Sequence, residues 1–144
     1  MDGNIFELQK NQLQYDYRSC KLQKGDKILT EVELEIVPGN YEDIKRKMED
    51  FLLRRKDKQP LNLPSAGSAF KRPPGNYAGA LIEKAGLKGY RIGGAMVSDK
   101  HAGFIVNVDN ATFEDVINLI QYIQRQVKDK FNVELESEIK ICGD

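Results

Sequence analysis

The sequence predicts an α+β fold, with a small mixed sheet and two long amphipathic helices. Three observations lead to this class. The chain has 144 residues, the usual size of one domain. Apolar residues recur at helical spacing in two long stretches, and they alternate with polar residues in several shorter ones. Helices and strands therefore both contribute to the core, and they are not arranged as a regular βαβ repeat.

The first forty residues predict two strands. Residues 5–8 are a short apolar–polar alternation after Asp2-Gly3-Asn4, and this strand lacks an evident neighbour. Residues 24–26, Lys-Gly-Asp, predict a turn. Residues 28–36 alternate apolar side chains with three glutamates over about ten positions, which predicts a strand with one wet face.

The first long helix is predicted to begin after Pro38-Gly39, with Asn40 as its N-cap, and to run to about Lys56. Acidic residues in its first turn suit the helix dipole. An apolar stripe predicts one buried face: Ile44, Met48, Phe51 and Leu52. The end of the helix is basic, and two interpretations stay open. Arg55 and Lys58 are either solvated or directed at the segment that follows.

Pro64 to Gly75 predicts a rigid, shaped loop, because small residues, glycines and a double proline disfavour a regular element. Gly67 permits a close approach of another molecule, so Ser68 is expected to be presented rather than packed. Lys71 and Arg72 are expected to be available to phosphate or carboxylate oxygens. The alternative is that this segment is only a connection.

The second half predicts a short helix capped by Asn76 and closed by Gly86. The glycines between 89 and 94 indicate close backbone approach, yet neither a Rossmann nor a P-loop phosphate pattern is present. Residues 103–108 predict a buried strand.

A second long helix is predicted from Thr112, with Asp115 in a weak capping box. Its apolar stripe predicts core packing: Phe113, Val116, Ile117, Ile120, Ile123, Val127 and Phe131. Residues 133–141 predict a final strand.

Charge and composition narrow the function classes. The chain carries 22 basic and 22 acidic residues, which gives no net field toward nucleic acid or an anionic membrane. No apolar run is long enough for a membrane span or a signal peptide, so a cytoplasmic location is expected. Cys20 and Cys142 are expected to be free thiols. His101 is the single histidine, and no metal site is predicted.

Three spaced motifs carry a resemblance to a known family. They are Pro-Ser-Ala-Gly-Ser-Ala-Phe-Lys-Arg-Pro-Pro-Gly at 64–75, the glycine-rich run at 77–95, and Ser-Asp-Lys-His-Ala-Gly-Phe-Ile-Val-Asn at 98–107. In this order, and over about residues 15–143, the chain resembles the UDP-N-acetylenolpyruvoylglucosamine reductase (MurB) family. It is similar to the shorter variant, which lacks a tyrosine-bearing insertion.

The resemblance implies a cytoplasmic peptidoglycan-precursor enzyme. NADPH reduces its bound FAD, and UDP-N-acetylglucosamine enolpyruvate becomes UDP-N-acetylmuramate. Residues 1–37 resemble the tail of the FAD-binding domain, and residues 38–144 resemble the C-terminal substrate-binding domain. The resemblance therefore implies a C-terminal fragment. Without the N-terminal FAD domain as a partner, this fragment is expected to bind no FAD or NADPH and to be inactive.

The resemblance also implies site residues. Arg18, Ser68 and Glu138 match the three catalytic positions. Lys58 and Arg72 match substrate contacts, and Arg55 matches a flavin contact.

Two other functional interpretations stay open. The chain could be a stand-alone nucleotide-sugar binding or regulatory module without redox activity. It could also be an α+β domain with no site at these positions, since composition and periodicity fit that equally well. The joint presence of Arg18, Ser68 and Glu138 favours the reductase, because a binding module has no need of all three.

Overall fold

The computed structural model describes residues 3–24 and 27–142, so Gly25 and Asp26 of the predicted turn lie outside the described residues. The chain divides into two compact units, Met1–Gly39 and Asn40–Asp144.

The first unit holds short 3-10 helices at Lys10–Gln12 and Lys21–Lys24. The predicted strands at 5–8 and 28–36 are wrong, since both segments are irregular within the described residues. The apolar side chains of the second segment are exposed, with Ile36 at 84 %. An alternating pattern makes a strand only where a second strand supplies ladder hydrogen bonds, and neither segment has such a neighbour among the described residues of its unit.

The second unit is built on a four-stranded sheet. Its strands are β1 (Ser65–Ser68), β2 (Arg91–Ile92), β3 (Ala95–Val97) and β4 (Phe104–Asn107), in the order β1-β4-β3-β2. All three pairings are antiparallel, so the expected mixed sheet is wrong. The strands β2, β3 and β4 follow one another through short turns, and such turns can join only antiparallel neighbours. The α+β class is confirmed.

Three helices complete the unit: α1 (Tyr41–Lys58), α2 (Ala78–Lys84) and α3 (Phe113–Phe131). Both long helices are confirmed. The Asn40 side chain accepts a hydrogen bond from the Asp43 amide at 3.1 Å, as its N-cap position predicts. The predicted cap of α2 is wrong. Tyr77 takes the N-cap position, and the Asn76 side chain instead donates to the Pro74 carbonyl at 3.4 Å.

The core lies between α3, α2 and the sheet. Ile120, Ile123 and Val127 of α3 are buried, as the stripe predicts. Leu119, which the predicted stripe does not include, is completely buried as well. Phe113 is an exception, since it stands at the first turn of the helix and stays 59 % exposed. No residue of α1 is buried, and its apolar stripe is 46–66 % exposed. The two amphipathic patterns look alike, but only α3 is covered in this unit.

The turn between β2 and β3 packs against the start of α3. A side chain at Gly94 would place Cβ 2.2 Å from the Asp109 carbonyl oxygen, so the close approach expected at these glycines is confirmed. The Gly94 amide donates to Asp115 at 3.1 Å, and Asp115 also completes the capping box with Thr112. These hydrogen bonds to backbone amides hold the pKa of Asp115 below its ordinary value.

The predicted strand at 133–141 is wrong as a continuous element. Only one antiparallel bridge forms there, between Phe70 and Ser137. The Glu136 carbonyl and the Glu138 amide each form a backbone hydrogen bond beside this bridge. Leu135 alone among 132–142 is buried.

Candidate functional site

Ser68 stands at the end of a bulged edge strand. Ser65 pairs with Val106 and Ser68 with Phe104, and the register shifts between them, where Gly67 adopts a φ of +86°. The expectation that the whole Pro64–Gly75 segment lacks regular structure is therefore wrong, because β4 supplies a ladder partner for Ser65–Ser68. The Ser68 side chain is exposed, and its hydroxyl donates to the Phe70 carbonyl at 3.3 Å.

Two buried side chains anchor the backbone next to Ser68. Ala69 is 0 % exposed and Phe70 is 3 % exposed. The Ala69 amide donates to the Gly103 carbonyl at 2.8 Å, which extends the pairing with the β4 region. A hydroxyl on such a segment has a well-defined position even though it faces solvent. This is the presented serine that the sequence predicts.

Glu138 lies directly beside this segment. Its amide donates to the Ala69 carbonyl at 2.9 Å, and the Lys71 amide donates to the Glu136 carbonyl at 2.9 Å. These two bonds flank the Phe70–Ser137 bridge and run as a short antiparallel ladder. The structure thus brings the backbones of Ser68 and Glu138 together, and Glu138 is half-buried there.

The two cations after the serine differ in their environment. The Lys71 ammonium forms an ion pair with the exposed Glu136 carboxylate in this structure, and its availability to a ligand stays a prediction. Arg72 donates from Nε to the Asn76 carbonyl at 3.3 Å, and its guanidinium lies 3.9 Å from the centroid of the Tyr77 ring. Across residues 3–24 and 27–142, no carboxylate pairs with Arg72. Its terminal nitrogens therefore remain as donors for an anion.

Arg55 and Lys58 occupy the last turn of α1, where basic side chains suit the helix dipole. Both are exposed, and neither forms a hydrogen bond or ion pair with the 64–75 segment within the described residues. In this structure the side chains of Arg55 and Lys58 are therefore solvated and are not directed at the 64–75 segment. Their roles as ligand contacts stay predictions.

An open groove of about 700 Å³ lies at the same end of α1. Leu52, Leu61 and Met96 contribute apolar lining, and Lys100 donates from Nζ to the Lys56 carbonyl at 2.8 Å. This contact satisfies one of the open carbonyls of the last helical turn. It therefore ties the end of α1 to the segment after β3.

Arg18 belongs to the first unit and sits in a tight turn. The turn is closed by two backbone bonds between Asp16 and Ser19, at 3.0 and 3.1 Å. Arg18 has a φ of +53°, which is costly for a residue with a long side chain. Its guanidinium lies 5.8 Å from the Tyr17 ring centroid. The side chain is exposed.

Two contributors to the site were missed by the sequence reasoning, Glu136 and Tyr77. Glu136 stands two residues before Glu138, so a strand pattern places both on one side. The two-residue spacing between Glu136 and Glu138 could therefore have indicated that Glu136 lies near the same segment as Glu138. Nothing in the sequence indicates that Tyr77 folds back over Arg72. In the described part of the chain, no group of three His, Cys, Asp or Glu side chains could hold a metal ion.

The fold and these contacts define an α+β domain that presents a serine, a carboxyl-bearing segment and, among the described residues, a guanidinium without a carboxylate partner. A family model for the C-terminal domain of UDP-N-acetylenolpyruvoylglucosamine reductase matches residues 59–142, more than half of the chain. The chain belongs to this family, as its motifs predict.

Individual relatives agree with this assignment. A UDP-N-acetylenolpyruvoylglucosamine reductase from Caldanaerobacter subterraneus subsp. tengcongensis is 58 % identical over 143 residues, covering 99 % of this chain and 47 % of the relative. One from Staphylococcus aureus strain JH9 is 48 % identical over 142 residues, covering 99 % and 46 %.

A solved structure is similar as well, the crystal structure of UDP-N-acetylenolpyruvylglucosamine reductase (MurB) from Thermus caldophilus. It matches with a TM-score of 0.72 and 41 % identity, over 89 % of this chain and 46 % of that chain. This chain spans about half the length of the curated relatives it matches.

Proposed function

We propose that this chain supplies the substrate domain and the catalytic residues of an NADPH-dependent flavoenzyme. The enzyme reduces UDP-N-acetylglucosamine enolpyruvate to UDP-N-acetylmuramate in peptidoglycan precursor synthesis. Residues 38–144 form the substrate-binding domain in this proposal, and residues 1–37 are the tail of the FAD-binding domain. The observation that carries the proposal is the short ladder that holds Glu138 beside Ser68, in a chain whose relatives bear this reductase's name.

The chemistry explains why these residue types are needed. Adding a hydride to the enolpyruvyl double bond leaves negative charge on the carbon next to the carboxylate. An enolate-like species of this kind requires a fixed cation and hydrogen-bond donors. Arg18 supplies the cation, with a forked geometry that suits a carboxylate.

Glu138 and Ser68 complete the proposed chemistry. Glu138 in its protonated form donates a hydrogen bond to the same carboxylate. The Ser68 hydroxyl then delivers a proton to the carbanionic carbon. In the structure this hydroxyl already donates to a backbone carbonyl, so it must turn from the Phe70 oxygen toward the substrate.

The flavin cofactor, reduced by NADPH, supplies the hydride when it is bound. Arg55 fits a contact to it, because the side chain is exposed on the last turn of α1 and its terminal nitrogens have no carboxylate partner among the described residues. Lys58, one turn further on, is assigned to the uridyl-phosphate side of the substrate, together with Arg72. We further propose that this chain alone retains no FAD and has no reductase activity.

Within the described residues, no helix has both the length and the apolar content to cross a bilayer. A UDP-sugar substrate and a cytoplasmic location are part of the proposal, since nucleotide-linked precursors of this type are charged and water-soluble.

Calorimetric titration of the chain with UDP-N-acetylglucosamine enolpyruvate tests the proposal. Micromolar binding that Lys58→Ala and Arg72→Ala each weaken about tenfold is the expected result, since one charge-assisted contact contributes about 1.4 kcal/mol or more. Lys84→Ala is a matched control, because Lys84 is an exposed lysine at the end of α2 with no assigned role.

The outcomes separate the candidate functions. Binding that is insensitive to both substitutions contradicts the assigned site. Binding without any flavin in the washed protein, but with reduction restored by an added FAD domain, supports the reductase. Stoichiometric flavin absorbance in the washed chain contradicts the proposal that it holds no FAD.

A further inference from the structure

We propose that Tyr77 is a positioning residue for Arg72, and that it holds the guanidinium in the orientation that binds phosphate oxygens of the substrate. The inference rests on the proposed function, because it takes Arg72 as a phosphate contact. It adds a residue and a mechanism that the motifs do not indicate.

The turn between the two residues is built to bring them together. Pro73 and Pro74 restrict the backbone, and Gly75 adopts a φ of +68°. The Asn76 amide then donates to the Pro73 carbonyl at 3.2 Å. The chain therefore reverses within four residues and returns Tyr77 over Arg72.

The contacts fix the guanidinium on one side and leave it open on the other. Nε donates to the Asn76 carbonyl at 3.3 Å, and the ring centroid of Tyr77 lies 3.9 Å from Cζ. This is well within the range of cation–π attraction. One edge and one face of the planar group are thus occupied, while the Nη atoms carry no carboxylate partner among the described residues.

The neighbouring cation shows why this arrangement matters. Lys71 stands one residue earlier, and its ammonium is paired with the Glu136 carboxylate. An arginine on a flexible exposed loop would find a similar carboxylate or sample many rotamers. The aromatic face holds Arg72 without neutralising it, so its charge and its two parallel donors stay available for a diphosphate.

The side chain of Tyr77 has no evident task in the fold. It is 62 % exposed, and although Tyr77 occupies the N-cap position of α2, its side chain makes no capping hydrogen bond. Replacing it is therefore expected to leave the melting temperature of the chain unchanged within about 2 °C, as for other exposed positions. Aromatic character, and not the hydroxyl, is the property that the proposal needs.

The test uses uridine diphosphate as the probe and calorimetric titration of four proteins: the unchanged chain, Arg72→Ala, Tyr77→Leu and Tyr77→Phe. Tyr77→Leu is expected to raise the Kd about 2–5-fold, the factor that an exposed cation–π contact provides. Tyr77→Phe is expected to stay within about twofold, because the ring is retained. The double variant Arg72→Ala/Tyr77→Leu is expected to bind like Arg72→Ala alone, since Tyr77 acts through Arg72.

A second measurement reads the positioning directly. In ¹⁵N-resolved NMR spectra, the Arg72 Nε–H resonance of the unchanged chain is expected to carry an upfield ring-current shift. This shift is expected to be lost in Tyr77→Leu and kept in Tyr77→Phe.

The results distinguish the positioning role of Tyr77 from the phosphate-binding role of Arg72 in the proposed function. If Arg72→Ala weakens binding and Tyr77→Leu does not, the inference is overturned and the proposed function stands. If Arg72→Ala has no effect, the phosphate role of Arg72 is wrong. Where the unchanged chain binds no uridine diphosphate, the NMR measurement decides: an Arg72 resonance that Tyr77→Leu leaves in place overturns the inference.

Discussion

Gly94→Ala is expected to destabilise the second unit strongly, although it adds a single methyl group. The new Cβ would lie 2.2 Å from the Asp109 carbonyl oxygen and 2.4 Å from the Ala111 amide nitrogen. Both partners are backbone atoms, so neither can rotate away. Because Cβ atoms essentially never come within 3.0 Å of such atoms, the turn must move by at least 0.8 Å relative to the segment before α3.

The size of the effect follows from what that movement disrupts. Overpacking of a well-packed site costs about 1–3 kcal/mol. Loss of the bond from the Val108 amide to the Gly94 carbonyl, now 2.9 Å, costs about 0.5–1.5 kcal/mol more. The reduced entropy of the unfolded chain offsets about 0.4–1 kcal/mol. The net loss is about 0.5–4 kcal/mol, which lowers the melting temperature by up to roughly 10 °C for a domain of this size.

Thermal unfolding followed by circular dichroism measures this loss, with Gly75→Ala as the matched control. A Cβ at Gly75 meets no heavy atom within 4 Å, so its cost is limited to the strain of a φ of +68°. That strain is about 1–2 kcal/mol before the same entropic offset. If Gly94→Ala melts within about 2 °C of the unchanged chain, or no lower than Gly75→Ala, the close-contact argument is refuted.

Two further predictions concern stability. Folding lowers the pKa of Asp115, so the stability that its carboxylate contributes is complete above the unfolded pKa and is lost as the pH falls through the folded pKa. Urea titrations between about pH 6 and about pH 3 should therefore show that the free energy of unfolding falls less steeply with acid in Asp115→Asn than in the unchanged chain. Equal pH slopes for the two proteins would contradict the assignment. Leu119→Ala, at a completely buried position of α3, is expected to cost about 2–5 kcal/mol in urea unfolding, whereas Met48→Ala on the exposed face of α1 should stay within about 0.5 kcal/mol. A large effect of Met48→Ala would show that the α1 face is covered in solution.

The helices and their caps could be predicted from sequence because their signals are local. Asn40 and Thr112 each bond an amide three residues ahead, and such contacts depend on only one turn of chain. The cap of α2 shows the limit of this reasoning. Asn76 is a good capping residue, but its side chain donates a hydrogen bond to the Pro74 carbonyl within the Pro73–Asn76 turn.

Strand prediction failed because the formation of a strand depends on pairing with another segment of the chain. Residues 28–36 have the stronger alternation, yet they are irregular, while Ser65–Ser68 with its small residues forms β1. A strand exists only with a partner of the right register, and β4 provides this partner across almost forty residues of sequence. No local pattern carries that information.

The sequence by itself determined the family to which the chain belongs. Motif order identifies Ser68, Arg72 and Glu138 as candidates without any coordinates. Tertiary structure alone decided how these candidates differ. Glu136 takes the Lys71 ammonium, Tyr77 supports the Arg72 guanidinium, and the ladder to Ala69 brings Glu138 beside the serine. The reason is physical: residue type sets what a side chain can donate or accept, but its partners are set by chain segments that meet only after folding.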